Sequence, residues 1–208
     1  MLCRVPQEIL KRLIFPLEGE EDKENVRMLA ERFSLENARQ RDSQDLCFFE
    51  GDYRAFLSER GVKGRPGSVR LSDGTILKEH DGIAGFTIGQ RKGLGIAAGR
   101  PVFVTKIDPS TGIVTMGSNE ELFKNEVTIG DLFFEKYGNT DAVPDRYLEK
   151  EFTAKLRYTA KEAKCRISNG TESKTAVLSF DEPQRAPTPG QFAVLYDGDR
   201  LIGSGVIE

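Results

Sequence analysis

The sequence predicts an α+β fold that is mainly β. Apolar residues recur at helical spacing only in the first segment, to about Asn37, and from Ser68 onward the chain turns to short β-branched runs separated by turn dipeptides. With 208 residues, 38% of them hydrophobic and 30% charged, it can bury a core of ordinary size and hold one or two small domains.

The elements follow in order. Ile9, Leu10, Leu13 and Ile14 share one helical face, and Phe15-Pro16-Leu17-Glu18-Gly19 then reads as a linker because proline ends the helix. A second helix is expected over residues 23–33, carrying Val26, Leu29, Ala30 and Phe33 on one side, with Asp22 placed as its N-cap. Residues 68–71 and 75–77 flank Asp73-Gly74 as a hairpin, and residues 101–107 and 113–116 flank the turn 108–112 as a second. Residues 120–130 read as a domain junction and 137–146 as a long loop. Five more strands are expected at 150–158, 164–167, 175–180, 191–196 and 201–207, the spacing of a small barrel or sandwich, with Asp197-Gly198 closing the last hairpin.

No run approaches the roughly 18 apolar residues that span a bilayer, and the start, Met1-Leu2-Cys3-Arg4-Val5-Pro6, lacks the segments of a secretory signal. A cytoplasmic chain without a membrane partner is expected. The net charge of −3 argues against a binder that is basic all over and leaves a local basic patch open. Cys3, Cys47 and Cys165 are widely spaced without a CxxC pair, so neither a disulfide framework nor a metal site is read from them.

Four places could carry chemistry. In Asp42-Ser43-Gln44-Asp45-Leu46-Cys47-Phe48-Phe49, a thiol stands between polar residues and an apolar run. It is either a half-exposed reactive cysteine or, as two following phenylalanines suggest, a core residue. In Gly85-Phe86-Thr87-Ile88-Gly89-Gln90-Arg91-Lys92-Gly93-Leu94-Gly95-Ile96, glycines free the backbone beside adjacent cations. The stretch lacks the Walker spacing and reads either as a phosphate-backbone contact or as a Gly-rich turn with two solvated charges. Arg157-Tyr158 and Gln191 sit at strand ends and could touch RNA by phosphate contact, stacking or hydrogen bonding, or serve only as strand ends. His80, the single histidine, lies in a polar turn with no nucleophile tied to it by spacing, and a structural or surface role is expected for it.

The order of these segments carries a resemblance. Ile14-Phe15-Pro16-Leu17, Val26-Arg27, the Cys47 segment, Thr87 to Ile96, Thr188-Pro189-Gly190-Gln191 and Tyr196-Asp197-Gly198-Asp199 together resemble the tRNA-specific 2-thiouridylase family over essentially the whole chain. The resemblance implies a helical remnant of an ATP-binding catalytic domain at 1–46, a central tRNA-contacting domain at 47–125 and a C-terminal antiparallel β-barrel at 126–208. In that family ATP adenylates the 2-position oxygen of the wobble uridine, a persulfide on a second cysteine delivers sulfur, and a first cysteine releases it through a disulfide. Cys47 matches the second cysteine; Gln90, Arg91, Lys92, Arg157, Tyr158 and Gln191 match tRNA contacts. The family's Ser-Gly-Gly-x-Asp-Ser pyrophosphate loop is not matched in these residues. ATP is therefore expected in a missing portion, and this chain, a truncated piece, is expected to position tRNA while catalysing nothing alone. Its implied partners are tRNA and a sulfur-donor protein, a cysteine desulfurase or sulfur relay. The rival reading is a stand-alone RNA-binding β module in which Cys47 is core.

Overall fold

The computed structural model describes residues 2–40, 56–57, 59–62 and 64–208. Its first segment holds a 3-10 turn, Leu2–Arg4, and two helices, α1 (Gln7–Leu10) and α2 (Lys23–Arg32). Asp22 caps α2 as expected, its carboxylate accepting the Asn25 N–H at 2.8 Å. α1 is shorter than the periodicity suggests. Pro6 offers its N-terminus no side-chain acceptor, the amides of Arg12 and Leu13 fold back to Ile9 and Leu10 as three-residue turns, and Ile14 is 85% exposed. With no burial to offset nucleation, one turn does not extend.

Eleven strands among the described residues form two sheets. In the smaller, β1 (Gly67–Leu71), β2 (Ile76–His80), β3 (Phe103–Asp108) and β4 (Ile113–Gly117) lie in the order β2-β1-β4-β3. The two expected hairpins are its antiparallel pairs, joined by a parallel β1–β4 contact. Alternate side chains Val69, Val104, Val114 and Met116 build its core, and Leu94 and Val102 from the intervening loop complete it.

The larger sheet comprises β5 (Phe123–Phe134), β6 (Gly138–Asn139), β7 (Glu151–Lys155), β8 (Ala163–Asn169), β9 (Ala176–Arg185), β10 (Phe192–Asp197) and β11 (Arg200–Ile207). Pairing of β11 with both β10 and β5 closes six of them into an antiparallel barrel, and the short β6 extends the flank of β5. The fold is mainly β, as the sequence predicts. Of barrel and sandwich, it is the barrel.

Two stretches take on structure here. Residues 120–130, expected as a domain junction, hold a 3-10 turn, Glu120–Leu122, and then enter β5, which pairs from Phe123↔Arg185 onward with β9. Its first four residues, Phe123 to Glu126, are exposed, and three of them are polar, which hides the inward pair Val127 and Ile129 that follows. The loop 137–146 is not structureless: it contains β6 and leads into a 3-10 turn, Asp145–Tyr147, whose tyrosine stacks on Phe134 at 5.2 Å inside the barrel core.

The barrel's crossings place the site. β9 runs antiparallel to β5, and β10 lies on the far side of the ring, so residues 186–191 cross the end where β5 starts and β7 stops. On the flank of β11 lies the N-terminal segment. Ser204, fully buried, donates to the Cys3 carbonyl at 3.1 Å, and Arg4 pairs with Asp131 while its guanidinium sits 5.5 Å from the Phe192 ring. Gln7 and Arg200 both bond Glu135, whose carboxylate side chain is only 2% exposed.

Candidate nucleic-acid interface

The Gly-rich loop is tied at both ends. Leu94 is buried in the small core, and at the other end the Gly89 N–H donates to Val104 O at 2.8 Å while Val104 N–H donates to Gln90 O at 2.9 Å. The Gln90 side chain braces the tip: its Oε1 accepts the Thr87 N–H at 3.0 Å and its Nε2 donates to Lys92 O at 3.1 Å. Between these ties Arg91 and Lys92 stand exposed, with no ion pair or hydrogen bond to their side chains among the described residues. The loop thus presents two solvated cations on a fixed backbone, which suits phosphate and demands little ordering on contact.

The barrel residues gather at the crossing end. Arg157 and Tyr158 follow β7, Gln191 precedes β10, and the three line one groove of about 590 Å³ with Lys155, Phe192 and Leu2. Tyr158 is 98% exposed and Gln191 is exposed as well. Arg157 is half-buried instead, its Nη2 donating to Ala186 O and, at 3.0 Å, to Thr188 Oγ1. Cations beside exposed aromatic rings suit a nucleotide, which offers a phosphate and a π-face together. Lys155 and Phe192 in this groove carry no motif in the sequence, and Tyr196 enters there only as part of the resemblance and not as a contact. The signal was there: Lys155, Val194 and Tyr196 occupy outward positions of paired strands, one period-2 face read across β7 and β10.

Both sets of residues flank one point. A Cβ built on Gly89 would lie 3.2 Å from the Ala186 methyl, and the Ala186 carbonyl is the one Arg157 holds. Beside it Arg185 donates to Asn119 Oδ1 at 3.1 Å and lies 5.5 Å from the Phe103 ring, so the end of β9 is bonded to the small sheet's surroundings.

Other candidates fall elsewhere. Cys47 lies outside the described residues. Cys3 and Cys165 are free and buried, and burial, with a smaller push from Asp181, raises the Cys165 thiol to about 12. His80 turns inward, its Nε2 3.0 Å from Gly112 O and its ring 4.9 Å from Phe86, while Nδ1 is buried without a partner among the described residues. A nucleoside triphosphate does not fit the Gly-rich loop: a 3-10 turn, Ile83–Gly85, precedes it and irregular chain follows as far as β3, so no helix N-terminus points at a phosphate there. Among the described residues no helix is long and apolar enough to cross a membrane.

Three family models match the chain: the tRNA methyl transferase HUP domain over residues 1–51, the tRNA methyl transferase PRC-barrel domain over 54–118 and the aminomethyltransferase beta-barrel domain over 139–207. Among curated relatives, a tRNA-specific 2-thiouridylase of Caldanaerobacter subterraneus is 43% identical over 212 residues, covering 100% of this chain and 56% of its own length. One of Carboxydothermus hydrogenoformans is 42% identical over 100% of the chain and 55% of the relative, and one of Syntrophomonas wolfei 43% over 99% and 58%. The chain therefore spans little more than half the length of these relatives.

Proposed function

The chain belongs to the tRNA-specific 2-thiouridylase family, and on that premise we propose that it positions tRNA for 2-thiolation of the wobble uridine and carries the transferred sulfur as a persulfide on Cys47. One observation carries the positioning half. Arg157, Tyr158 and Gln191, drawn from separate places in the sequence, line a single groove of exposed rings and cations. Arg91, Lys92 and Tyr158 are the proposed direct contacts, with Gln191 offering hydrogen bonds and Gln90 and Arg157 holding the backbone around them. Division into 1–46, 47–125 and 126–208 belongs to the same proposal, with β5 as the strand in which the barrel begins.

The sulfur half rests on the likeness of the Cys47 segment to the family and on thiolate chemistry. A thiolate attacks the outer sulfur of a donor protein's persulfide, keeps that sulfur and leaves the donor as thiolate. A cysteine desulfurase or a sulfur relay protein is the proposed donor. Use of ATP is assigned to the part of the relatives that this chain does not span, since the Gly-rich loop has no helix N-terminus to receive the nucleotide's phosphates. The chain alone then binds tRNA weakly and thiolates nothing, and the cytoplasm is its proposed compartment.

The test is binding of the purified chain to cognate unmodified tRNA and to a scrambled RNA, together with persulfide trapping on wild type and Cys47→Ser. Selective binding with a persulfide lost in Cys47→Ser supports both halves. Binding with a slow, donor-indifferent Cys47 leaves an RNA-binding module. Thiolation of tRNA by the chain alone with ATP would overturn the assignment of ATP elsewhere.

A further inference from the structure

We infer that Ala186 is a latch between the barrel and the cationic loop, and that Arg157 acts on tRNA as a positioning residue through it. The proposal rests on the tRNA-positioning reading, and it starts from backbone strain. Ala186 has φ +52°, a left-handed conformation that costs a residue with a Cβ and suits glycine. Every polar group of this buried residue is held: its N–H donates to Leu122 O at 2.7 Å, and its carbonyl accepts from Arg157 and, at 3.0 Å, from Thr188 Oγ1. Glycine would relax the backbone here. What glycine would lose is the methyl, and that methyl faces Gly89.

Gly89 is the complementary partner. Its φ of +83° favours glycine, and the space above it is filled by the Ala186 methyl and the Arg185 guanidinium. A methyl seated on a glycine fixes the separation of two backbones more tightly than flexible side chains do. Gly89 is bonded to β3 by its N–H and leads directly into Gln90, Arg91 and Lys92. On the other side, Thr188 accepts the Gln191 N–H at 3.1 Å, tying the same crossing to the groove. The Ala186–Gly89 contact therefore sets how far the loop's cations stand from Tyr158 and Gln191, and Arg157 maintains it by holding the Ala186 carbonyl.

The test uses the full chain with Ala186→Gly, Gly89→Ala, the pair, Arg157→Ala and Arg157→Lys. Three quantities are read: thermal midpoint, hydrogen exchange at 87–92 and 186–191 without RNA, and affinity for unmodified tRNA across a salt series. Ala186→Gly is expected to leave the midpoint unchanged or raise it, since strain is relieved, yet to speed exchange at Gly89 and weaken tRNA binding roughly two- to tenfold. Combining Gly89→Ala with Ala186→Gly should recover part of what Gly89→Ala alone loses. Arg157→Ala should weaken binding with an unchanged salt slope, and Arg157→Lys should restore some of it. Strictly additive effects at 89 and 186, or unchanged exchange in Ala186→Gly, would overturn the latch. A salt slope lowered by about one in Arg157→Ala would make Arg157 a direct phosphate contact. If wild type binds no tRNA, the functional reading fails, while hydrogen exchange still decides the latch.

Discussion

Burial, with Asp181 adding to it, raises the Cys165 thiol to about 12, so this cysteine is protonated and covered at neutral pH. Alkylation of the native chain near pH 7.5, followed by peptide mass spectrometry, should leave Cys165 unmodified and label it only with denaturant. The sign with pH follows from linkage. The folded thiol keeps its proton above the ordinary value of 9.0, so the stability tied to it is complete below that value and declines as pH rises toward about 12. Asp108 moves the other way: the Ser110 and Thr111 hydroxyls and amides hold its carboxylate down to about 2. Its turn is fully supported above the usual carboxylate range and loses that support as pH falls toward about 2, a loss that Asp108→Asn should remove from acid titrations. Both this turn and the Asp22 cap were legible in the sequence because their partners are two or three residues away. Arg157 was not legible in the same way. Its acceptors come from a crossing distant in sequence, so a cation that looks free beside Tyr158 is in fact turned inward.

At the level of elements, strands bounded by turn dipeptides were readable and β5 was not, since half of it is exposed and that half is mostly polar. Its far end nevertheless carries a large ring into the barrel core. Phe134 is buried, stacked on Tyr147, and pressed against Gly203, where a Cβ would come within 2.7 Å of its ring. Phe134→Ala should cost about 3–5 kcal/mol in denaturant unfolding, and a loss under about 1 kcal/mol would mean that the barrel interior repacks there. The helices invert the lesson. Their periodicity was clear, yet α1 stops after one turn, because periodicity states which face would be buried and not whether anything covers it.

For the whole molecule, the five C-terminal strands left barrel and sandwich open; pairing of β11 with β5, remote in sequence, is what decides it. The location of the basic patch was open in the same way. The net charge of −3 excludes a uniform basic surface, and only the fold brings Arg91 and Lys92 toward the end of the barrel that bears Tyr158. Arg91→Ala/Lys92→Ala should reduce the salt dependence of tRNA binding by about 1.4 to 1.8 in log–log slope. An unchanged slope would remove this loop from the interface.

Ring closure has a further consequence. A sheet that ends in open strands offers unpaired backbone to any neighbouring chain, and closing on itself removes that hazard. β11 seals the ring alone, seated between β10 and β5. Removing residues 200–208 would therefore bare two rims at once, β10 and the Ile129–Phe134 half of β5. Such a chain is expected to self-associate through intermolecular strand pairing, visible as concentration-dependent sedimentation, while the four-stranded sheet, whose pairing makes no use of β11, keeps its protected amides.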